Sequence, residues 1–210
     1  MTSRRKVLIF DLGGVLLENT GREKLTSLLP AGTPTGDVRL RWLASSVVQR
    51  YERGHISSQD FAANLVREWG IALEPDAFLS HFAQWPKGFY PGAKELLQEL
   101  RREHTVVCLS NSNEVHWARF PEIASLFDHA FSSHQIGHVK PDREAFACVL
   151  AATRAQPEDT WFFDDLQPNV DAARALGINA LQVEGMEELL AALRGEMLHA
   201  PEARPVRRRT

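Results

Sequence analysis

Cysteine is scarce in this chain, which holds Cys108, Cys148 and no third. One lies in an apolar run and the other in a helical pattern, so they supply neither a disulfide framework nor the spacing of a zinc site. Long apolar runs are missing too: no segment approaches the roughly 20 residues that cross a bilayer. The basic start Arg4-Arg5-Lys6 precedes the apolar Val7-Leu8-Ile9-Phe10, but Asp11 interrupts it before the core of a secretory signal is complete. No sign of charge dominates, since 24 Lys and Arg stand against 27 Asp and Glu, a formal net charge of -3. Such a balance gives no global field to attract nucleic acid or a membrane surface. The one basic block, Arg204 with Arg207 to Arg209, lies beside Pro201 and Pro205, the composition of a flexible tail over 201–210. A cytoplasmic protein with neither nucleic acid nor membrane as partner is expected.

What is present is ample core material: 44% of 210 residues are hydrophobic. Strand-like runs at 7–10, 105–109, 129–131, 161–163 and 179–183 are separated by helical patterns at 94–102, 143–151, 169–176 and 186–198. Alternation of this kind predicts an α/β protein with a Rossmann-like parallel-sheet core and helices on both faces. Residues 18–87 depart from the alternation. Trp42, Val47, Val48, Phe61, Leu65, Val66 and Trp69 recur at helical spacing there, with Gly, Pro and Ser breaks between groups. We read a small α-helical insert after the first strand, with no strand in it. The expected division is a core of 1–17 and 88–200, a helical unit of 18–87, and the tail. The aromatics Trp42, Tyr51, Phe61, Phe82 and Trp85 read as packing within that unit.

Four polar signals fall where core strands end or helices begin. They are Asp11-Leu12-Gly13-Gly14-Val15, Ser110-Asn111, Lys140-Pro141-Asp142, and Asp164-Asp165 followed by Asn169. Taken singly, Asp11 and Ser110-Asn111 could be turn or capping residues, and Lys140 an exposed loop lysine. The adjacent carboxylates of Asp164 and Asp165 repel one another unless a cation compensates. In a parallel sheet, strand ends share one edge, so Asp11, Ser110, Asn111 and Asp165 can converge there. His134 and His138 have the i, i+4 relation of zinc ligands, but Gly137 and Lys140-Pro141 oppose a helix and no third ligand is apparent, so this stretch reads as a loop.

In this order, the four motifs resemble those of the haloacid dehalogenase superfamily, whose hydrolases form an aspartyl phosphate. The stretch Tyr51-Glu52-Arg53-Gly54 with Ile56-Ser57 is similar to the helical cap of members resembling glucose-1-phosphate phosphatases. The resemblance implies a phosphatase for a small phosphorylated metabolite, most simply a sugar phosphate. It implies Asp11 as nucleophile, with Ser110, Lys140 and the backbone around Leu12, Gly13 and Asn111 holding the phosphoryl group. It also implies a magnesium ion on Asp11, the Gly13 carbonyl and Asp165, with Asp164 nearby. Gly13 departs from the pattern, because most phosphatases of this superfamily carry an acid-base aspartate there. Glu18, Glu52, His55 and His81 are the insert residues that could replace it. Two other readings stay open: a metal-free 2-haloacid dehalogenase, and a silent binding protein that keeps the fold.

Overall fold

Side-chain alternation along the first strand accounts for the layering. In β1 (Val7–Phe10), Leu8 and Phe10 enter one apolar cluster while Val7 and Ile9 enter another, and all four are buried. A strand apolar on both faces belongs inside a three-layer structure. The computed structural model, which describes residues 5–34 and 38–197, places it there. The basic tail and the end of the last predicted helix, Leu198, lie outside the described residues.

After β1 the chain forms β2 (Leu17–Asn19), β3 (Pro86–Phe89), β4 (Thr105–Ser110), β5 (His129–Ser132), β6 (Thr160–Asp164) and β7 (Asn179–Gln182). Five of these make a parallel sheet in the order β5-β4-β1-β6-β7, the expected α/β core. Phe10 is in register with Cys108 on β4 and with Phe163 on β6, so Asp11 and Asp164 follow side by side at the same edge. The strands run further than expected at that edge: Ser110 closes β4 and Asp164 closes β6. Helices Ala93–Leu100 and Gly185–Met197 cover the face of Leu8 and Phe10, through Leu97, Leu189 and Leu193. Helices Arg143–Thr153 and Gln167–Ala175 cover the other with Phe146, Val149, Val170 and Ala173.

Residues 18–87 were expected to hold no strand, and this is corrected at both ends. β2 and β3 pair antiparallel, Leu17 opposite Phe89 and Glu18 opposite Gly88. Strands of three and four residues are too short to display a period of two, and β3 begins at a proline. Between them, among the described residues, lie five helices, Gly21–Leu28, Val38–Ala44, Ser46–Glu52, Ser58–Trp69 and Pro75–Phe82. Ser45 and Ser57 cap two of these by accepting from the amides of Val48 and Asp60. The five helices share a third apolar cluster, in which Tyr51 stacks on Phe61 with centroids 4.1 Å apart and Phe82 lies 5.1 Å from Phe61. The aromatics of this region pack as the sequence predicts.

A second correction concerns Ser133–Ile136, which is one helical turn rather than loop. Gly137, read as a breaker, is its left-handed cap at φ 75°. His138 lies beyond that cap, so the two histidines do not share a helix face. Among the described residues, no helix is long and apolar enough to cross a membrane.

Phe61 is fully buried among aromatics. Phe61→Ala is therefore expected to lower the unfolding free energy by about 3–5 kcal/mol, measured by urea denaturation.

Candidate active site

The site is organised around one buried cation. Lys140 is 3% exposed, and its ammonium donates to Asp11 Oδ1 at 2.8 Å and to Asp164 Oδ2 at 2.7 Å. Its backbone is gripped by Asn111, whose Nδ2 donates to the Lys140 carbonyl at 2.8 Å while Oδ1 accepts the Lys140 amide at 2.7 Å. The Asn111 side chain is thus a clamp between the end of β4 and the lysine loop. Asp164 is fully buried, and its second oxygen, Oδ1, accepts from the Leu166 amide and from Asn169 Nδ2, each at 2.9 Å. Asn169 therefore orients the carboxylate that orients the lysine.

These contacts set the protonation states. Burial raises the Asp11 carboxyl above its ordinary range, Lys140 pulls it down, and Asp164 and Asp165 push it up. Burial alone would lower the Lys140 ammonium, but Asp11 and Asp164 reverse that and hold it above its ordinary value. The lysine is a fixed positive charge at any physiological pH.

Asp165 is separate from this network and pairs with Arg39 of helix Val38–Ala44. Burial raises its carboxyl, and Arg39 opposes the shift. The turn after β1 makes room for it. Gly14 has φ 80°, and a Cβ there would stand 2.8 Å from Asp165 Oδ2. Any other residue would be strained and would collide. Asp11, Asp164 and Asp165 each offer an oxygen within 4.8 Å of the others, a hard-donor cluster able to hold a divalent cation. Both Asp164 oxygens already accept from protein donors, so Asp11 and Asp165 are the carboxylates open to such an ion.

A cavity of about 330 Å³ opens over this edge, between the sheet and the helices of residues 21–82. Asp11, Gly13, Ser110, Asn111, Lys140 and Asp165 line its floor. Arg22, Arg39, Trp42, Glu52, Trp85 and Tyr90 contribute to its walls. Leu12 is buried, and its carbonyl accepts from the amides of Val15, Leu16 and Leu17, shaping the turn. The structure brings Asp11, Ser110, Lys140, Asp164 and Asp165 to one place. Of the four residues considered as substitutes for the missing acid, Glu18, His55 and His81 are exposed, whereas Glu52 faces the cavity. His134 and His138 are not in the acidic cluster.

Residues 5–177 match the model of the haloacid dehalogenase-like hydrolase family. This chain belongs to that family. The hydrolase is 26% identical over 193 residues to D-ribitol-5-phosphate phosphatase of Bacteroides thetaiotaomicron, covering 85% of this chain and 92% of that one. It is 29% identical over 195 residues to a sesquiterpene phosphatase of Aspergillus oryzae, covering 87% and 92%. Among solved structures, a family enzyme of Bacteroides thetaiotaomicron, in complex with magnesium and inorganic phosphate, superposes with a TM-score of 0.70. It is 22% identical, over 86% of this chain and 95% of that one, a likeness of fold.

Sequence reasoning missed Arg22, Arg39 and Tyr90 of the hydrolase and took Trp42 and Trp85 for packing alone, because a lone arginine or aromatic carries no motif. It listed Asn169 without its role, which follows only from the contact with Asp164.

Removing Asp164 would leave the hydrolase with a buried ammonium short of one partner and with an unpaired amide at Leu166. Asp164→Ala is expected to lower its unfolding free energy by about 3–5 kcal/mol in urea titrations, whether or not substrate is present.

Proposed function

We propose that this hydrolase is a magnesium-dependent phosphatase acting on a small phosphorylated metabolite, most simply a sugar phosphate, through an aspartyl-phosphate intermediate. One observation carries the proposal: a carboxylate, a buried ammonium and a hydroxyl meet a second open carboxylate at the floor of one cavity. The phosphatases among its relatives support the same reaction class.

Each residue has work suited to its position. Asp11 attacks phosphorus, forming an Asp11–phosphorus bond as the ester oxygen leaves. Lys140 and Ser110 donate to the phosphoryl oxygens, and Lys140 also fixes the orientation of the Asp11 carboxylate by holding its Oδ1. Asp164 holds Lys140, and Asn111 fixes the loop that carries it. Magnesium suits this cluster of carboxylates: Asp11 and Asp165 would hold it, with Asp164 nearby and the Gly13 carbonyl as a further oxygen donor. When bound, it screens the anionic nucleophile from the anionic phosphate and stabilises the oxygens of the transferred group. The helices of residues 21–82 act as a cap that shapes the substrate space and limits water. Aromatic faces at Trp42, Trp85 and Tyr90, with Arg22 and Arg39, suit a polar, carbon-framed substrate. A reducing, cytoplasmic setting is consistent with free thiols at Cys108 and Cys148.

Charge argues against the metal-free dehalogenase. A haloacid brings a carboxylate to a cluster that already holds three, whereas a phosphate dianion entering with a divalent cation adds no net charge. A silent binding protein would have no need to hold a nucleophile, its lysine and an open carboxylate in contact distance.

Asp11→Asn should bring hydrolysis of aryl and sugar phosphates to background in steady-state assays. Ser110→Ala should lower kcat by about 10²–10³-fold. Chelation of magnesium should abolish turnover and its return restore it; equal rates in chelator and in magnesium would refute the proposed cofactor.

A further inference from the structure

The glycine at position 13 leaves the proposed phosphatase without its usual proton donor, and the cavity itself contains a replacement. A Cβ at Gly13 would sit 3.3 Å from Asn19 Nδ2, so the space where an acid would begin faces an amide that cannot titrate. Asp11, Asp164 and Asp165 are committed to nucleophile, lysine and cation duties. Among the described residues of the cavity wall, Glu23 and Glu184 also carry carboxyl groups. Glu23 is exposed, and Glu184 follows β7 with its amide tied to Glu188. Glu52 differs, because it is half-buried, belongs to the cavity wall, and lies close enough to Asp11 and Lys140 for their charges to act on it.

Its position is fixed by its neighbours in the chain. Tyr51 OH and Ser58 Oγ are hydrogen bonded at 2.8 Å, and Ser58 donates onward to Glu114 of the core. Arg53 pairs with Asp142 at 2.8 Å, two residues past Lys140. At Gly54, with φ 71°, an added Cβ would strike the carbonyl of His134. Residues 51, 53 and 54 thus seat the end of helix Ser46–Glu52 against the catalytic edge, and residue 52 between them is turned into the cavity.

We propose that Glu52 is the general acid-base of this enzyme, doing from the helical layer what a carboxylate at position 13 does elsewhere. The inference rests on the phosphatase reading. As Asp11 bonds to phosphorus and the phosphorus–ester oxygen bond breaks, the Glu52 proton passes to the leaving oxygen. In the second half, water adds to phosphorus and gives its proton to the Glu52 carboxylate, while the bond to Asp11 breaks and phosphate departs. Protons balance over the cycle, and Glu52 ends as it began.

The groups around Glu52 suit it to this work. Burial pushes its carboxyl up to about 7; Asp11 adds to the rise, while an indole N–H from Trp42 and the charges of Lys140 and Arg53 oppose it. Near neutral pH both forms are populated, as a group that gives and retakes a proton requires.

The test compares kcat/KM, which reports the step that expels the leaving group, for a series of aryl phosphates in wild type and Glu52→Gln. The 2,4-dinitrophenyl ester needs no acid and should react within a few-fold of wild type. Phenyl phosphate should lose about 10²–10⁴-fold. In acid-quenched samples the variant should accumulate phosphate on Asp11, because hydrolysis of the intermediate also loses its base. In wild type, kcat/KM for phenyl phosphate should fall as pH rises through Glu52's value, and this fall should vanish in the variant. Equal losses for both esters would mean that Glu52 only seats the helix, and no loss for either would mean that it has no part; each overturns the inference. If the variant fails to fold, as judged by circular dichroism, the wild-type pH comparison of the two esters decides, and identical profiles overturn it. Failure of wild type to hydrolyse 2,4-dinitrophenyl phosphate, or to acquire phosphate on Asp11, would sink the phosphatase reading instead.

Discussion

Everything at the carboxyl-terminal edge of the sheet depends on the ammonium of Lys140 lying between two carboxylates. Burying a charge costs several kcal/mol, and two contacts below 3 Å with opposite charges offset that cost without a large surplus. The gain is positional. Asp11 follows β1, Asp164 ends β6, and Asn111 ties the lysine loop to the end of β4, so one residue, by side chain and backbone, joins three neighbouring strands at their carboxyl ends. Leu166 and Asn169 then saturate the carboxylate that faces no ligand. The two adjacent aspartates of the sequence consequently do opposite things. The first is an internal counter-charge, and the second remains available to the cavity.

The helical layer completes the electrostatics. Three carboxylates at this edge exceed the single charge of Lys140, and Arg39 supplies a second positive charge at Asp165 from the helical layer. Glu52 stands on the same wall, held by contacts of its neighbours to the core. In the proposed reaction the fold distributes one chemical task over two layers: the sheet fixes the groups proposed to touch phosphorus, and the helices bring those proposed to meet the rest of the substrate.

Much of this was legible in the chain itself. Apolar runs followed by Asp11, Ser110 and Asp164 located the strand ends, because a parallel sheet buried on both faces leaves polar residues only where a strand stops. The layering, the helical composition of residues 21–82 and the convergence of the polar motifs follow from the same logic. The β2–β3 ribbon escaped because three or four residues carry too little pattern, and the turn at Ser133–Ile136 escaped because its cap glycine looks like a breaker. Arg39 and the role of Asn169 could not be read at all. Their significance lies in contacts between segments far apart in sequence, which no local period encodes. Glu52 was visible only as one of four equal alternatives, and burial separated it from the other three.

The central place of β1 has a consequence for how the molecule comes to exist. It precedes its hydrogen-bonding partners, residues 105–108 and 160–163, by a long stretch of chain. During synthesis, β1 therefore waits unpaired until β4 has emerged, and its second edge stays open until β6 follows. Closing such long loops carries an entropic cost before any contact rewards it, which makes parallel pairing slow. Meanwhile the helices of residues 21–82 have their aromatic neighbours at short range and can organise early. Asp11, Lys140 and Asp164 meet only when β6 arrives, so this edge of the sheet joins residues from segments made far apart in time.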